Sequence, residues 1–216
     1  MMLMNDLIFG KETFTMIKNI IFDCGQVLIQ YNEVKIASHY TDNEQDAEIL
    51  GKIGMARKYW ELFDRGLLSE ADYLEQVKPE LPEHLHTAVE KLSEEWVSLC
   101  PAIPGMEKIV SELKNAGKKL YLLSNFNKRL RYEQHYISAL RYFDALVISG
   151  ELKKAKPDKE IYEYLLSTYQ LNPEECIFID DRLDNIAMGE SLGIRGYLFD
   201  GNAEKLREYL KAENLI

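Results

Sequence analysis

Four short stretches of the chain run from apolar residues into polar, reactive side chains. "IIFD" ends in Asp23, "LYLLSN" in Ser124 and Asn125, and "FIDD" in Asp180 and Asp181; Lys156 stands in "GELKKAKPD", shortly after "ALVI". One carboxylate, a hydroxyl–amide pair, a lysine and a carboxylate pair suit phosphoryl transfer. A carboxylate can attack phosphorus and form an acyl phosphate. Two anions approach closely only with a cation between them. Hard Mg²⁺ prefers oxygen ligands and keeps several waters, so two carboxylates and one backbone carbonyl suffice to hold it. A lysine and a hydroxyl can then bind the remaining phosphoryl oxygens.

These groups can act together only if the elements that carry them converge. Apolar runs at 18–22, 119–123, 145–148, 176–179 and 196–199 are rich in Ile, Val, Leu, Phe and Tyr and lack strict alternation. They predict strands of a parallel sheet covered on both faces. Helical patterns at 107–115, 159–169, 183–192 and 203–211 separate the later runs, with Gly117 and Gly193 as stops. Strand alternating with helix implies a doubly wound α/β fold, a Rossmann-like sheet of about five parallel strands. Ligands of such sheets bind beyond the carboxyl ends of the strands, where the polar residues stand.

One segment breaks the alternation. Between Glu33 and Cys100 the chain shows helical patterns and no convincing strand. Residues 52–65 carry Tyr59, Trp60, Leu62 and Phe63 and stop at Gly66; Ser69 and Asp72 have the spacing of a capping box. Leu85, Val89, Leu92, Trp96 and Leu99 follow helical spacing. The organisation expected is an α/β core at 16–32 and 101–216, with an all-helical cap inserted at 33–100. Met16, just before the first strand, reads as an alternative start, leaving 1–15 as an N-terminal extension.

Composition narrows the function. The 216 residues are 46% hydrophobic and 29% charged, ordinary for a globular protein, and no apolar run reaches the roughly 18 residues of a membrane span. A formal net charge of -10 argues against a general nucleic-acid binder. Cys24, Cys100 and Cys176 are scattered and odd in number, without metal-like spacing, which suits a reducing cytosol. The partner expected is a small phosphorylated metabolite, with no nucleic acid and no membrane, the protein being a monomer or homodimer.

The order Asp, Ser, Lys, Asp-Asp on an alternating α/β chain resembles the haloacid dehalogenase (HAD) superfamily. "FDCGQVL", "WELFDRGLLSEADY", "LLSNFN", "KPDKEIYEYLL" and "FIDDRLDNIAMGESLGIRGYLF" are together similar to its C1-capped subgroup. That subgroup includes bacterial α-D-glucose-1-phosphate phosphatase and the N-terminal phosphatase domain of soluble epoxide hydrolase. The resemblance implies a Mg²⁺-dependent phosphatase with Asp23 as nucleophile and metal ligand, and sugar phosphates as preferred substrates. It gives Gly25 as a backbone-carbonyl ligand, Ser124 and Asn125 as phosphoryl-binding residues and Lys156 as the neutralising cation. It gives Asp181 as a direct metal ligand; Asp180 would ligate through water or orient Lys156, and Asn185 would stand behind them.

Gly25 departs from the family pattern. Most phosphatases of the superfamily carry Asp there, which protonates the leaving group and then activates water. Glycine cannot move a proton, and such a loss costs on the order of 10²–10⁴-fold in rate. A metal-activated water or a cap residue such as His39 are the substitutes the sequence offers. Two other functions compete: a metal-independent 2-haloacid dehalogenase, which does not need the Asp180–Asp181 pair, and a weakly active binding protein that has kept the fold. Single residues also have bland readings. Cys24 is expected to be a buried apolar residue, His84 and His86 to face solvent, and Lys128, Arg129 and Arg131 to form a solvated helix face.

Overall fold

The computed structural model describes residues 16–216, so the expectation for residues 1–15 lies outside the described residues. After β1 (Asn19–Phe22) come five helices: α1 (Glu33–Ala37), α2 (Glu44–Gly54), α3 (Arg57–Asp64), α4 (Glu70–Val77) and α5 (His86–Glu95). The chain then alternates: α6 (Met106–Asn115), β2 (Lys119–Ser124), α7 (Leu130–Glu133), β3 (Ala145–Ile148), α8 (Ser149–Leu152) and α9 (Lys159–Thr168) follow in turn. It closes with β4 (Cys176–Asp180), α10 (Leu183–Ser191), β5 (Arg195–Leu198) and α11 (Ala203–Ala212).

All five strands are parallel, in the order β3-β2-β1-β4-β5. The register sets Phe22 opposite both Leu122 and Ile179, so the first polar residues of the central strands emerge at one level. Alternate side chains serve opposite faces. Ile21, Tyr121, Leu123 and Phe178 pack with Ile161, Tyr162 and Leu165 of α9 and Ile186 of α10. Ile20, Phe22, Leu120 and Leu122 join Ile109 of α6 and Leu206 of α11 in a larger core, which continues into the helices between β1 and β2. β5 was expected to be as buried as the rest. It lies at the sheet edge and is only partly covered.

The helical segment also differs in detail. Residues 52–65 were expected to be one helix, but the chain turns at Ala56, whose ψ of 137° is extended. The buried stripe of α2 is Ala47, Leu50, Gly51 and Gly54. A straight continuation at helical spacing would carry that stripe into Arg57 and Lys58, so the break keeps both charges in water. Ser69 caps α4 as its spacing predicts, its hydroxyl accepting from the Asp72 N–H at 3.1 Å. Trp96 joins the helical segment to the α/β layer: its ring stacks on Phe126 at 5.1 Å and meets Trp60 edge-on at 5.0 Å.

Candidate active site

Asp23, the residue after β1, is 8% exposed, and its N–H donates to the Ile179 carbonyl at 2.9 Å. Asp180 ends β4 and is fully buried; Asp181 follows, partly exposed. One carboxylate oxygen from each of the three lies within 4.8 Å of the others. A single lysine faces them. Lys156, 3% exposed, places Nζ 2.8 Å from Asp23 Oδ1 and 2.6 Å from Asp180 Oδ2. Three acids against one cation leave an excess of negative charge. Burial, reinforced by Asp180 and opposed by Lys156, pushes the Asp23 carboxyl to about 6. Burial also raises Asp181, and Asp180 adds to it. Burial alone would lower Lys156, but Asp23 and Asp180 hold it above the usual lysine range.

The oxygens of Asp180 are committed. They accept from Lys156 Nζ, from the Arg182 N–H at 2.8 Å and from Asn185 Nδ2 at 3.0 Å. Of the two roles expected for Asp180, orienting the lysine is the one these bonds describe. Asn185 is 2% exposed, and its Oδ1 is buried without a hydrogen-bond partner among the described residues. An orphaned oxygen beside three crowded carboxylates is an all-oxygen donor set short of positive charge, and it fits a hard divalent cation.

Asn125, expected to help bind the phosphoryl group, lines the same cavity, and its amide is engaged with the lysine loop. Its Oδ1 accepts from the Lys156 N–H and its Nδ2 donates to the Lys156 carbonyl, both at 2.7 Å, so the amide is spent on fixing the lysine loop. Ser124 is 1% exposed at the end of β2, with no hydrogen bond to its hydroxyl among the described residues. Gly25 leaves open space: a Cβ built there would meet nothing within 4 Å.

These groups form the floor of a cavity of about 770 Å³ between the α/β layer and the helical segment. Asp23, Gly25, Asn125, Lys156, Asp181 and Asn185 line its floor, while Met55, Trp60, Asp64 and Trp96 line its wall; Ser124 does not contribute to the surface. His39 stands outside: it is exposed, and its Nδ1 bonds the Lys35 carbonyl at 3.0 Å. His86, expected in solvent, is half-buried, with Nε2 bonded to the Lys78 and Leu81 carbonyls. Arg129 is not part of a solvated face. It pairs with Glu70 and Glu133 and donates to the Glu94 carbonyl at 2.7 Å, fastening the helical segment to α7. Sequence reading missed this contact, and it missed Ser149 and Asp64. Ser149 is fully buried; its hydroxyl accepts from the Phe126 N–H at 2.9 Å and donates to the Asp64 carbonyl. Nothing local in the sequence signals such long-range partners.

A parallel sheet whose central strands present clustered carboxylates and a buried lysine to a cavity defines an α/β enzyme with an aspartate at its centre. The chain belongs to the haloacid dehalogenase-like hydrolase family, whose model matches residues 17–193. It is 29% identical over 186 residues to the sesquiterpene phosphatase astK of Aspergillus oryzae, covering 84% of this chain and 89% of that protein. It is 26% identical over 204 residues to a D-ribitol-5-phosphate phosphatase of Bacteroides thetaiotaomicron, covering 89% and 97%. Among solved structures, the HAD family enzyme BT-2542 of Bacteroides thetaiotaomicron superposes with a TM-score of 0.69 at 20% identity, covering 90% of this chain and 98% of that one. Its complex with magnesium and inorganic phosphate gives 0.64 at 21% identity, covering 86% and 96%. These superpositions establish the fold.

Proposed function

We propose that the chain is a Mg²⁺-dependent phosphatase of small phosphorylated metabolites, acting through an aspartyl phosphate on Asp23. The observation that carries this reading is the three-carboxylate cluster closed by one buried lysine on the cavity floor. Asp23, Asp181 and the Gly25 carbonyl would hold the cation, with Asp180 and the Asn185 oxygen behind them. When bound, the cation supplies charge neutralisation between the nucleophile and the phosphoryl group. Asp23 supplies the attacking oxygen. Lys156, aimed by Asp180 and by the Asn125 clamp on its backbone, neutralises Asp23 and a phosphoryl oxygen. Ser124, at the end of β2, would hold a phosphoryl oxygen through its hydroxyl. The helical segment 33–100 acts as a cap that excludes bulk water and selects the leaving group.

Sugar or polyol phosphates are the substrates we favour. The cavity is lined by polar side chains, Gln26, Glu33 and Glu61 among them, that can meet a hydroxyl-bearing substrate. The D-ribitol-5-phosphate phosphatase relative supports the same choice. A second reading, a prenyl-type phosphate, is favoured by the aromatic wall of Trp60, Trp96 and Phe126 and by the sesquiterpene phosphatase relative. Three buried free cysteines fit a cytosolic location, and no helix among the described residues is long and apolar enough to cross a membrane.

A panel of phosphate monoesters assayed with and without Mg²⁺, for wild type and Asp23→Asn, tests the reading. Turnover should need the cation and fall by at least ~10³-fold in the variant, as loss of a nucleophile does elsewhere. Equal turnover in the two proteins refutes it.

A further inference from the structure

Phosphoryl transfer from an alcohol leaves an alkoxide that needs a proton, and Gly25 offers none. The cavity wall carries an acid at Asp64, the last residue of α3. Asp64 lines the cavity that holds Asp23, Gly25 and Lys156. Its backbone is fixed on the core from three directions. Its carbonyl accepts from Ser149 Oγ, the next residue Arg65 pairs with Asp158 at 2.5 Å, and Gly66 lies against Gly150. That last approach admits no side chain: Gly66 has φ +63°, and a Cβ there would lie 2.4 Å from the Gly150 carbonyl oxygen. The Asp64 carboxyl itself is uncommitted, with no hydrogen bond or ion pair among the described residues. Burial, reinforced by the charge of Asp23 and opposed by Lys156, raises it to about 7. Of the other acids on the wall, Glu61 pairs with Arg57 and Asp184 with Arg182, while Glu33, which also lines the cavity, has no partner among the described residues and is the control for Asp64.

We propose that Asp64, carried by the helical segment, is the general acid and base that replaces the side chain missing at Gly25. The assignment rests on the phosphatase reading above. In the first half-reaction a bond forms from Asp23 oxygen to phosphorus. The bond from phosphorus to the leaving oxygen breaks with its electron pair, and the Asp64 proton passes to that oxygen to release the alcohol. In the second half-reaction a water oxygen attacks phosphorus and its proton passes to the Asp64 carboxylate. The Asp23–phosphorus bond breaks with its pair returning to Asp23, and inorganic phosphate leaves.

A proton donor matters for an alkoxide and little for a stabilised phenolate, so the leaving group separates a catalytic role from a structural one. Wild type, Asp64→Asn and Asp23→Asn would be compared on p-nitrophenyl phosphate and on an alkyl phosphate by rapid mixing, with thermal melts to verify folding. Asp64→Asn is expected to cut alkyl phosphate cleavage by 10²–10⁴-fold. It should keep first-turnover nitrophenol release within about tenfold of wild type while slowing the steady state, because the base of the second half-reaction is lost. Gly25→Asp in the Asp64→Asn background, where the added side chain enters open space, should restore at least tenfold of the alkyl phosphate rate. Equal first-turnover loss on both leaving groups, no loss on either, or the leaving-group signature appearing in Glu33→Gln instead would overturn the assignment. A wild-type protein without Mg²⁺-dependent release of phosphate, or Asp23→Asn with undiminished turnover, would sink the phosphatase reading itself and this assignment with it.

Discussion

Lys156 is held at both ends. Its ammonium bridges Asp23 and Asp180, while its backbone N–H and carbonyl are clamped by the Asn125 amide. Removing the ammonium would leave two buried carboxylates uncompensated, a change worth about 3–5 kcal/mol in other proteins, which would confuse activity with folding. The clamp is the cleaner probe. Asn125→Ala removes two hydrogen bonds and keeps every charge in the site, so it should cost about 1–3 kcal/mol in urea unfolding. The larger effect should fall on turnover, because a displaced loop misplaces Nζ: kcat should drop roughly 10–100-fold with KM changing less. A variant that loses stability but keeps wild-type kcat would show that the clamp serves folding alone.

At the scale of elements, the pairing of β2 with β3 is pinned by a residue belonging to neither. Asp144 precedes β3; its N–H donates to the Leu120 carbonyl at 2.8 Å, and its Oδ2 accepts from the Leu120 N–H at 2.9 Å. Lys114 at the end of α6 and Lys119 reach the same carboxylate at 2.7 and 3.2 Å. Burial works to raise this carboxyl, but the lysine and N–H donors prevail and hold it below the usual range. A depressed folded pKa means that the stabilisation is present above the unfolded value of ~3.9 and is lost as pH falls through the folded value. Asp144→Asn should therefore be less stable by about 1–2 kcal/mol at pH 7, and the gap should close in urea titrations below about pH 4. A gap that persists unchanged at low pH would assign the effect to packing. The strands themselves were legible because a buried parallel strand is a short apolar run with a sharp polar end, a purely local signal. The break at Ala56 was not: Met55 and Ala56 are good helix formers, and only the tertiary cost of carrying Arg57 and Lys58 into the stripe of α2 forces the turn.

For the molecule as a whole, convergence decides what can be read in advance. Asp23, Lys156 and the Asp180–Asp181 pair were identifiable because they stand at or beyond the carboxyl ends of β1, β3 and β4, and a doubly wound sheet brings such positions together. Asp64 and Arg129 were opaque because their significance depends on how the helical segment docks. In sequence one ends an amphipathic helix and the other belongs to a charge run, and only the contacts of Gly66 with Gly150 and of Arg129 with Glu70 turn them inward. The same global view bears on stability. A chain of formal charge -10 that also concentrates three carboxylates around one lysine opposes its own folding, and a cation that binds only the folded cluster relieves this. By linkage, Mg²⁺ at a hundred times its Kd adds about 2.7 kcal/mol. For a chain of this size that raises Tm by roughly 5–10 °C. Chelator should reverse the shift, and Asp181→Asn should abolish most of it, since the Asp180 oxygens are occupied by Lys156 and Asn185 and cannot substitute. An undiminished shift in Asp181→Asn would place the cation elsewhere on the acidic surface and detach the carboxylate cluster from metal binding.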